Sequence, residues 1–295
     1  MNAMSYHTLQ RLVVRMLFDD EFVEAVYADS ARALAKLDLS EAERAQLLSV
    51  DRRAWRHDPL RRRRTLRTLV EEYKVSTTLV LSETRSLASL ERFFSSGFFH
   101  AAVQERGSMG LAFSEFLLDG CRSGAWQAPQ IPDIVRLEAT IAACRRRLER
   151  EGEYQPDQLP ATISDRTRVQ LAPGYSVASF QANVIEAIQR VERYLFELSL
   201  MPAMALCDDA PRLGGLPEID QLKKVYLLFN PGAAGISLTN LDKSTFAILA
   251  ETKRAVEIRS LLARPGATRE TSRRTQAILS EWLENGALMI VQGGG

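Results

Sequence analysis

Cysteine and histidine are both scarce, with three of each in 295 residues. Cys121, Cys144 and Cys207 stand far apart and form no CxxC pair. That spacing argues against a disulfide framework or a thiolate zinc site and predicts buried thiols. His7, His57 and His100 show neither HxH nor HExxH spacing, and no histidine follows Ala101. A metal centre would therefore need ligands converging from distant parts of the chain. Long apolar runs are missing as well. Stretches such as Val225 to Phe229 and Ala287 to Val291 fall far short of the roughly 20 residues a membrane-spanning helix needs. The first residues turn amphipathic at once, without the apolar core of a secretory signal. A soluble, cytoplasmic protein with no membrane partner is the expectation.

Neither sign of charge dominates. Residues 1–155 carry 23 Lys plus Arg against 22 Asp plus Glu, and residues 156–295 carry 15 against 15. A nucleic-acid module usually shows a basic excess, because phosphate contacts supply most of its affinity. One window departs from the balance: Arg52 to Arg67 holds eight arginines against the single carboxylate Asp58. It fits either an acidic partner or a solvated helix face, since Leu66, Leu69, Val70 and Tyr73 continue at helical spacing.

At 33.1 kDa and 46% hydrophobic residues, the chain can bury a real core and has room for two domains. The first half reads as helices. Leu9, Leu12, Val13, Met16 and Leu17 form one stripe over His7 to Phe18, and Glu21 to Tyr27 repeats the pattern. Ser40 followed by Glu43 is a capping box, with a helix running on through Leu48. Further helices are expected over Leu60 to Leu81, Thr84 to Phe94, Met109 to Leu118 and Pro132 to Arg150. Glycines and prolines then cluster from Gly152 to Gly174, around the short extended pieces Thr167 to Leu171 and Tyr175 to Phe180. A helix from Ala182 to Leu198 and a loop from Asp208 to Pro217 follow. The expected organisation is an all-helical domain over 1–150, a segment of linker, short strands and a helix over 151–222, and a C-terminal domain over 223–295. The fold class is α+β, mostly α.

From Lys223 the period becomes that of strands. Val225 to Phe229, a turn at Asn230 to Gly235, and Ile236 to Thr239 make a hairpin signature. Asn240 is placed to cap a helix with Asp242 in its first turn and a stripe of Phe246, Leu249 and Ala250. A short helix over Ala255 to Leu262 stops at Pro265-Gly266. A third, Glu270 to Glu284, points Ala277, Ile278, Trp282 and Leu283 inward and stops at Asn285-Gly286, before the strand Ala287 to Val291.

This order resembles the winged helix-turn-helix of the PqqD-like family, the peptide-recognition elements of ribosomal peptide natural-product pathways. The resemblance spans residues 223–295, a quarter of the chain. It is carried by Ile236-Ser237-Leu238-Thr239-Asn240, the stripe from Phe246, the turn Glu251 to Arg254 leading into Val256 and Ile258, and Trp282-Leu283-Glu284-Asn285-Gly286-Ala287-Leu288. Where the family has an acidic residue and a glycine after the first helix, Thr252 and Lys253 stand here. The resemblance implies that a precursor peptide's leader adds as a strand along Ile236, Ser237, Leu238 and Thr239. The facing wall would be Arg273, Arg274, Ala277 and Ile278. Arg269, Arg273 and Arg274 would then meet acidic leader residues.

A helical first half joined to such an element is similar to the small partner subunits of TIM-barrel, multi-iron peptide-modifying enzymes. One such subunit serves methanobactin biosynthesis. Another, closer in length and in its long helical half, serves the thiaglutamate pathway, where the iron enzyme removes a carbon from a peptide's C-terminal cysteine. The resemblance implies a heterodimer with the iron enzyme, with no catalytic residue, cofactor or metal in this chain and the iron held by the partner. The alternative is a transcription regulator, a winged helix reading DNA beside a helical sensor domain. Residues 223–295 carry ten Lys plus Arg against six Asp plus Glu, which suits either ligand. Glu270, Glu281 and Glu284 on the would-be reading helix oppose phosphate. A third possibility, an enzyme acting alone, needs the distant histidines to converge with carboxylates.

Ser95-Ser96-Gly97 and Gly107-Ser108-Met109-Gly110 follow no strand and are turns, not nucleophile elbows. Gly232 to Gly235 lacks the lysine and spacing of a phosphate loop. The aromatic run Phe93, Phe94, Phe98 and Phe99 beside His100 is either core at a helix junction or a contact surface for the partner subunit, with Phe98, Phe99 and His100 as its anchors.

Overall fold

The computed structural model describes residues 3–56, 58, 60–105, 107–152, 164–200, 212–218, 223–232, 235–263 and 268–291. Two units emerge from it, Met1–Val135 with Arg190–Gly214, and Arg136–Gln189 with Gly215–Gly295. The division falls inside two helices, so the units are not successive along the chain.

The first unit is helical: α1 (Ala3–Phe18), α2 (Asp20–Ala28), α3 (Ser30–Ala33), α4 (Glu41–Ser49), α5 (Leu60–Glu72), α6 (Lys74–Thr84), α7 (Ala88–Glu91), α8 (Gly97–Glu105) and α9 (Met109–Arg122). The 21-residue α10 (Ile131–Glu151) leads out of it. Local chemistry sets the helix starts. The Asp19 carboxylate accepts from the Phe22 amide at 3.0 Å and starts α2, and Ser40 and Glu43 close the expected capping box at α4.

Two expected helices divide. The span Leu60 to Leu81 breaks at Tyr73, whose φ of −113° and ψ of 47° lie outside the helical region. The Tyr73 side chain is completely buried, so its packing overrides a helical periodicity that contains neither glycine nor proline. The span Thr84 to Phe94 is interrupted at Arg85, left-handed with φ 53°. It resumes only as the single turn α7 and a 3₁₀ turn at Arg92–Ser95.

Two cores organise this unit. Leu12, Met16, Phe22, Val23, Val26, Leu34, Leu39, Leu47 and Trp55 form one. The other is aromatic: Phe93 meets Phe99 at 5.5 Å and Phe113 at 5.1 Å, Phe18 meets Phe99 at 5.2 Å, and Phe116 passes the chain of rings to Trp126 at 5.9 Å. Tilted and edge-on rings of this kind match the quadrupole preference of aromatic pairs.

The arginine-rich window is largely paired within the chain. Arg52 meets Glu24, Arg62 meets Asp20, Arg64 meets Asp58 and Arg67 meets Glu71. That favours the solvated-face reading of the window, with exposed pairs adding little stability.

The second unit holds two antiparallel three-stranded sheets. The strands are β1 (Arg168–Leu171), β2 (Ser176–Gln181), β3 (Lys224–Gly232), β4 (Gly235–Leu241), β5 (Val256–Glu257) and β6 (Leu288–Val291). One sheet has the order β2-β3-β4 and the other β5-β1-β6. The helices are α12 (Lys243–Glu251), α13 (Ile258–Leu262) and α14 (Arg269–Glu284), while α11 (Val184–Leu200) is divided between the units at Arg190.

The short strands expected over Thr167 to Leu171 and Tyr175 to Phe180 are β1 and β2, and each joins a sheet with strands from the C-terminal segment. β2 extends the hairpin, with Val177 opposite Leu228 and Phe180 opposite Val225. β1 inserts between β5 and β6, with Val169 opposite both Val256 and Ile290. The core of this unit gathers Val169, Leu171, Val177, Leu228, Ile248, Leu249, Ile258, Leu261, Ile278, Leu279, Leu283 and Leu288.

Three details depart from expectation here. Asp242, not Asn240, caps α12: its carboxylate takes the Ser244 and Thr245 amides at 2.8 and 3.1 Å while Asn240 stays in β4 opposite Leu227. On α14 the buried stripe is Thr275, Ile278, Leu279 and Leu283, Trp282 packs partly buried against the same core, and of the expected inward residues Ala277 is exposed. Thr252 is fully buried, its hydroxyl donating to Leu249 O at 2.9 Å and its carbonyl accepting from the Leu171 amide at 2.8 Å. The turn after α12 is thus tied to β1, a role that explains threonine there.

Candidate functional sites

The first candidate is the free edge of β4. Among the described residues β4 pairs only with β3, in the register Ile236–Pro231, Ser237–Asn230, Leu238–Phe229 and Thr239–Leu228. Successive side chains alternate between the faces. The Thr239 and Leu241 side belongs to the face where Leu228 enters the core and Tyr226 stacks on Phe246 at 4.8 Å. Leu238 belongs to the other face, opposite Phe229. Ser237, Leu238, Thr239 and Asn240 are all exposed, and Leu238 at 38% is one of few large apolar side chains so placed. The other edge of this sheet, β2, has no exposed residue.

Polar contacts bind β4 to β3 from its own side. Asn230 Nδ2 donates to Thr239 Oγ1 at 2.6 Å, and Ser237 Oγ donates to Asn230 O at 3.4 Å. At the end of the strand Asp242 reaches Arg274 Nη2 of α14 at 3.7 Å. Hydrogen bonds from the Ser244 and Thr245 hydroxyls, with their amides, hold the Asp242 carboxyl well below the usual carboxylate range. It is an anion at any ordinary pH and links the strand end to α14.

Arg269, Arg273 and Ala277 are exposed on α14, and neither Arg269 nor Arg273 forms an ion pair among the described residues. Ile278 is placed differently from the other three. It is 9% exposed and packs in the core beneath α14, one position round the helix from Ala277.

The second candidate is a polar node in the helical unit. Asp19 is buried, with a side chain 3% exposed, and His100 Nε2 lies 3.3 Å from its Oδ2 without the alignment of a good hydrogen bond. Arg15 Nε donates to the same oxygen at 3.2 Å, and the Ser95 hydroxyl donates to Oδ1 at 3.0 Å. Burial alone would raise the Asp19 pKa, but His100, the Phe22 amide, Ser95 and Arg15 together lower it to about 2. Sequence reading singled out His100 and missed Asp19; the one local signal was its position as cap of α2.

The aromatic anchors beside His100 separate. Phe99 is 1% exposed and meets Phe18, Phe93 and Phe94, so it is core and no contact surface. With His100 as a fourth neighbour at 5.4 Å, the ring is already packed within its own unit. Phe98 is half-buried on the same helix.

The Cys144 thiol is buried and the Cys121 thiol half-buried; burial pushes both up to about 11, so both are inert thiols. Cys207 and His57 lie outside the described residues, as does the side chain of His7. No helix among the described residues is long and apolar enough to cross a membrane. Compared with models of protein families and with curated proteins, the sequence matches none.

Proposed function

We propose that this chain is a non-catalytic partner subunit that binds the leader of a ribosomally made precursor peptide and presents the peptide's C-terminal cysteine to a TIM-barrel, multi-iron enzyme. The two chains form a cytoplasmic heterodimer of the thiaglutamate type, with the iron in the enzyme subunit. The reading rests on the resemblances carried by residues 223–295 and by the helical first half. The observation that best supports the peptide-binding step is the edge of β4: exposed over Ser237 to Asn240, paired on one side only among the described residues, and followed by helices that present Arg269, Arg273 and Ala277.

An edge of this kind suits strand addition. Main-chain hydrogen bonds give affinity to any extended peptide, and alternate side-chain positions select among sequences. Leu238 offers an apolar contact, and Arg269 and Arg273, exposed on α14, favour acidic residues. The order α12, β5, α13, α14, β6 is read here as a winged helix in which β1 completes the small sheet.

The test is to recover the tagged chain from its native host and analyse the metal in whatever co-purifies in stoichiometric amount. An iron-bearing barrel subunit is the expected result. Recovery of DNA fragments, with affinity that falls steeply as salt rises, would replace this reading by the transcription regulator. Recovery of the chain alone and free of metal would also overturn it.

A further inference from the structure

A pocket of about 270 Å³ opens beside the Asp19–His100 node. Two elements bring charge to it, α1 through Arg11 and Arg15 and the turn after α3 through Lys36 and Asp38, and α8 lines it with His100. Arg11 and Arg15 are four residues apart on α1, so both side chains fall on one helix face.

Arg15 is held in place before any ligand arrives. Its guanidinium carbon lies 3.8 Å from the centroid of the Phe22 ring, and its Nε is bonded to Asp19. Its two terminal nitrogens make no hydrogen bond among the described residues. Arg11 spends one terminal nitrogen on Gln104 O at 3.3 Å. Lys36 and Asp38 make no ion pair among the described residues. The Asp19 charge is already engaged from four directions and is nearly sealed from solvent. Three cations thus converge on a concave surface that offers the exposed Asp38 as its remaining carboxylate.

We propose that this pocket binds a small oxyanion, a carboxylate or phosphate group, with Arg15 and Arg11 as the donors and Lys36 as a point charge. A planar guanidinium fork matches two oxygens of either group, and a fork that is already fixed loses less rotamer freedom on binding. The volume falls just below the roughly 300 Å³ at which drug-sized sites begin. The ligand is a metabolite-sized anion, distinct from the peptide taken by β4, and the proposal does not rest on the peptide-binding reading.

The experiment is calorimetric titration of the full chain with inorganic phosphate and, separately, with succinate at low ionic strength, repeated on the Arg11→Gln/Lys36→Gln double variant. Both replaced side chains are exposed, so an unchanged Tm confirms the fold. Saturable binding of at least one probe at one site per chain, weakened about tenfold or more in the double variant, is the expected result. The better probe tells a phosphate ligand from a carboxylate. Failure of both probes to saturate, or a double variant that binds within about threefold of the parent, overturns the proposal.

Discussion

Oδ2 of Asp19 lies 3.3 Å from Nε2 of His100, a contact that ties the start of α2 to α8. A buried carboxylate persists only if donors offset its lost hydration, and here the Phe22 amide, the Ser95 hydroxyl and Arg15 supply them. A pKa lowered to about 2 from 3.8 means that the folded state binds the anion's proton more weakly than the unfolded chain. The resulting stability is fully present well above pH 3.8, falls as pH drops below it, and is gone once pH passes below the folded value. Asp19→Asn is expected to cost about 2 kcal/mol at pH 7, by the linkage between a pKa shift and stability. Urea unfolding at pH 7 and at pH 3 checks this: the difference between parent and variant should shrink markedly at the lower pH.

Phe99→Ala separates core from contact surface. A fully buried phenylalanine truncated in a packed cluster costs about 3–5 kcal/mol, so a large fall in Tm is expected for the isolated chain. Phe98→Ala, on a half-buried ring, should cost much less. Thermal unfolding of the two variants without any partner is the measurement, and equal, small losses would return Phe99 to the surface.

Most helices were legible because their signals are local: a stripe at helical spacing, a capping box at Ser40 and Glu43, a stop at Asn285-Gly286. The sheets were only half legible. The hairpin of β3 and β4 announces itself, but β1 and β2 find their partners more than forty residues away, and no local pattern encodes that pairing. The break at Tyr73 was hidden for a related reason, since it is burial and not composition that ends the helix. The Asp19 node needed the fold itself, because the carboxylate and the imidazole are unremarkable until α1, α2 and α8 meet.

Gly120 is a place where an otherwise favourable change reverses sign. In an exposed helix interior, glycine to alanine gains up to about 1 kcal/mol. In α9 a methyl at this position would overlap the indole of Trp126, which is 2% exposed and donates from Nε1 to Leu117 O at 2.9 Å. Gly120→Ala is therefore expected to destabilise by about 1–3 kcal/mol through overpacking. The same substitution in a Trp126→Leu background should be close to neutral. A double-mutant cycle by urea unfolding measures the coupling, and additive losses would show that the indole is not the obstacle.

The edge of β4 makes a prediction of alternation. Along an antiparallel strand, one backbone N–H points to the partner strand and the next points away. Ser237 and Leu238 are consecutive, and β4 has β3 as its one partner among the described residues, so a proline at one of them removes a bond to β3 while a proline at the other removes a donor that faces outward. Of Ser237→Pro and Leu238→Pro, one should therefore lose roughly 1–3 kcal/mol of stability, the cost of a broken ladder bond. The other should keep its Tm and lose about tenfold in affinity for the precursor peptide recovered with the complex. Alanine at both positions sets the baseline, since it keeps each N–H and removes only the side chain. If the well-folded proline variant binds the peptide as its alanine control does, no strand is added at this edge. The peptide would then have to be held by side chains alone, most directly those of α14.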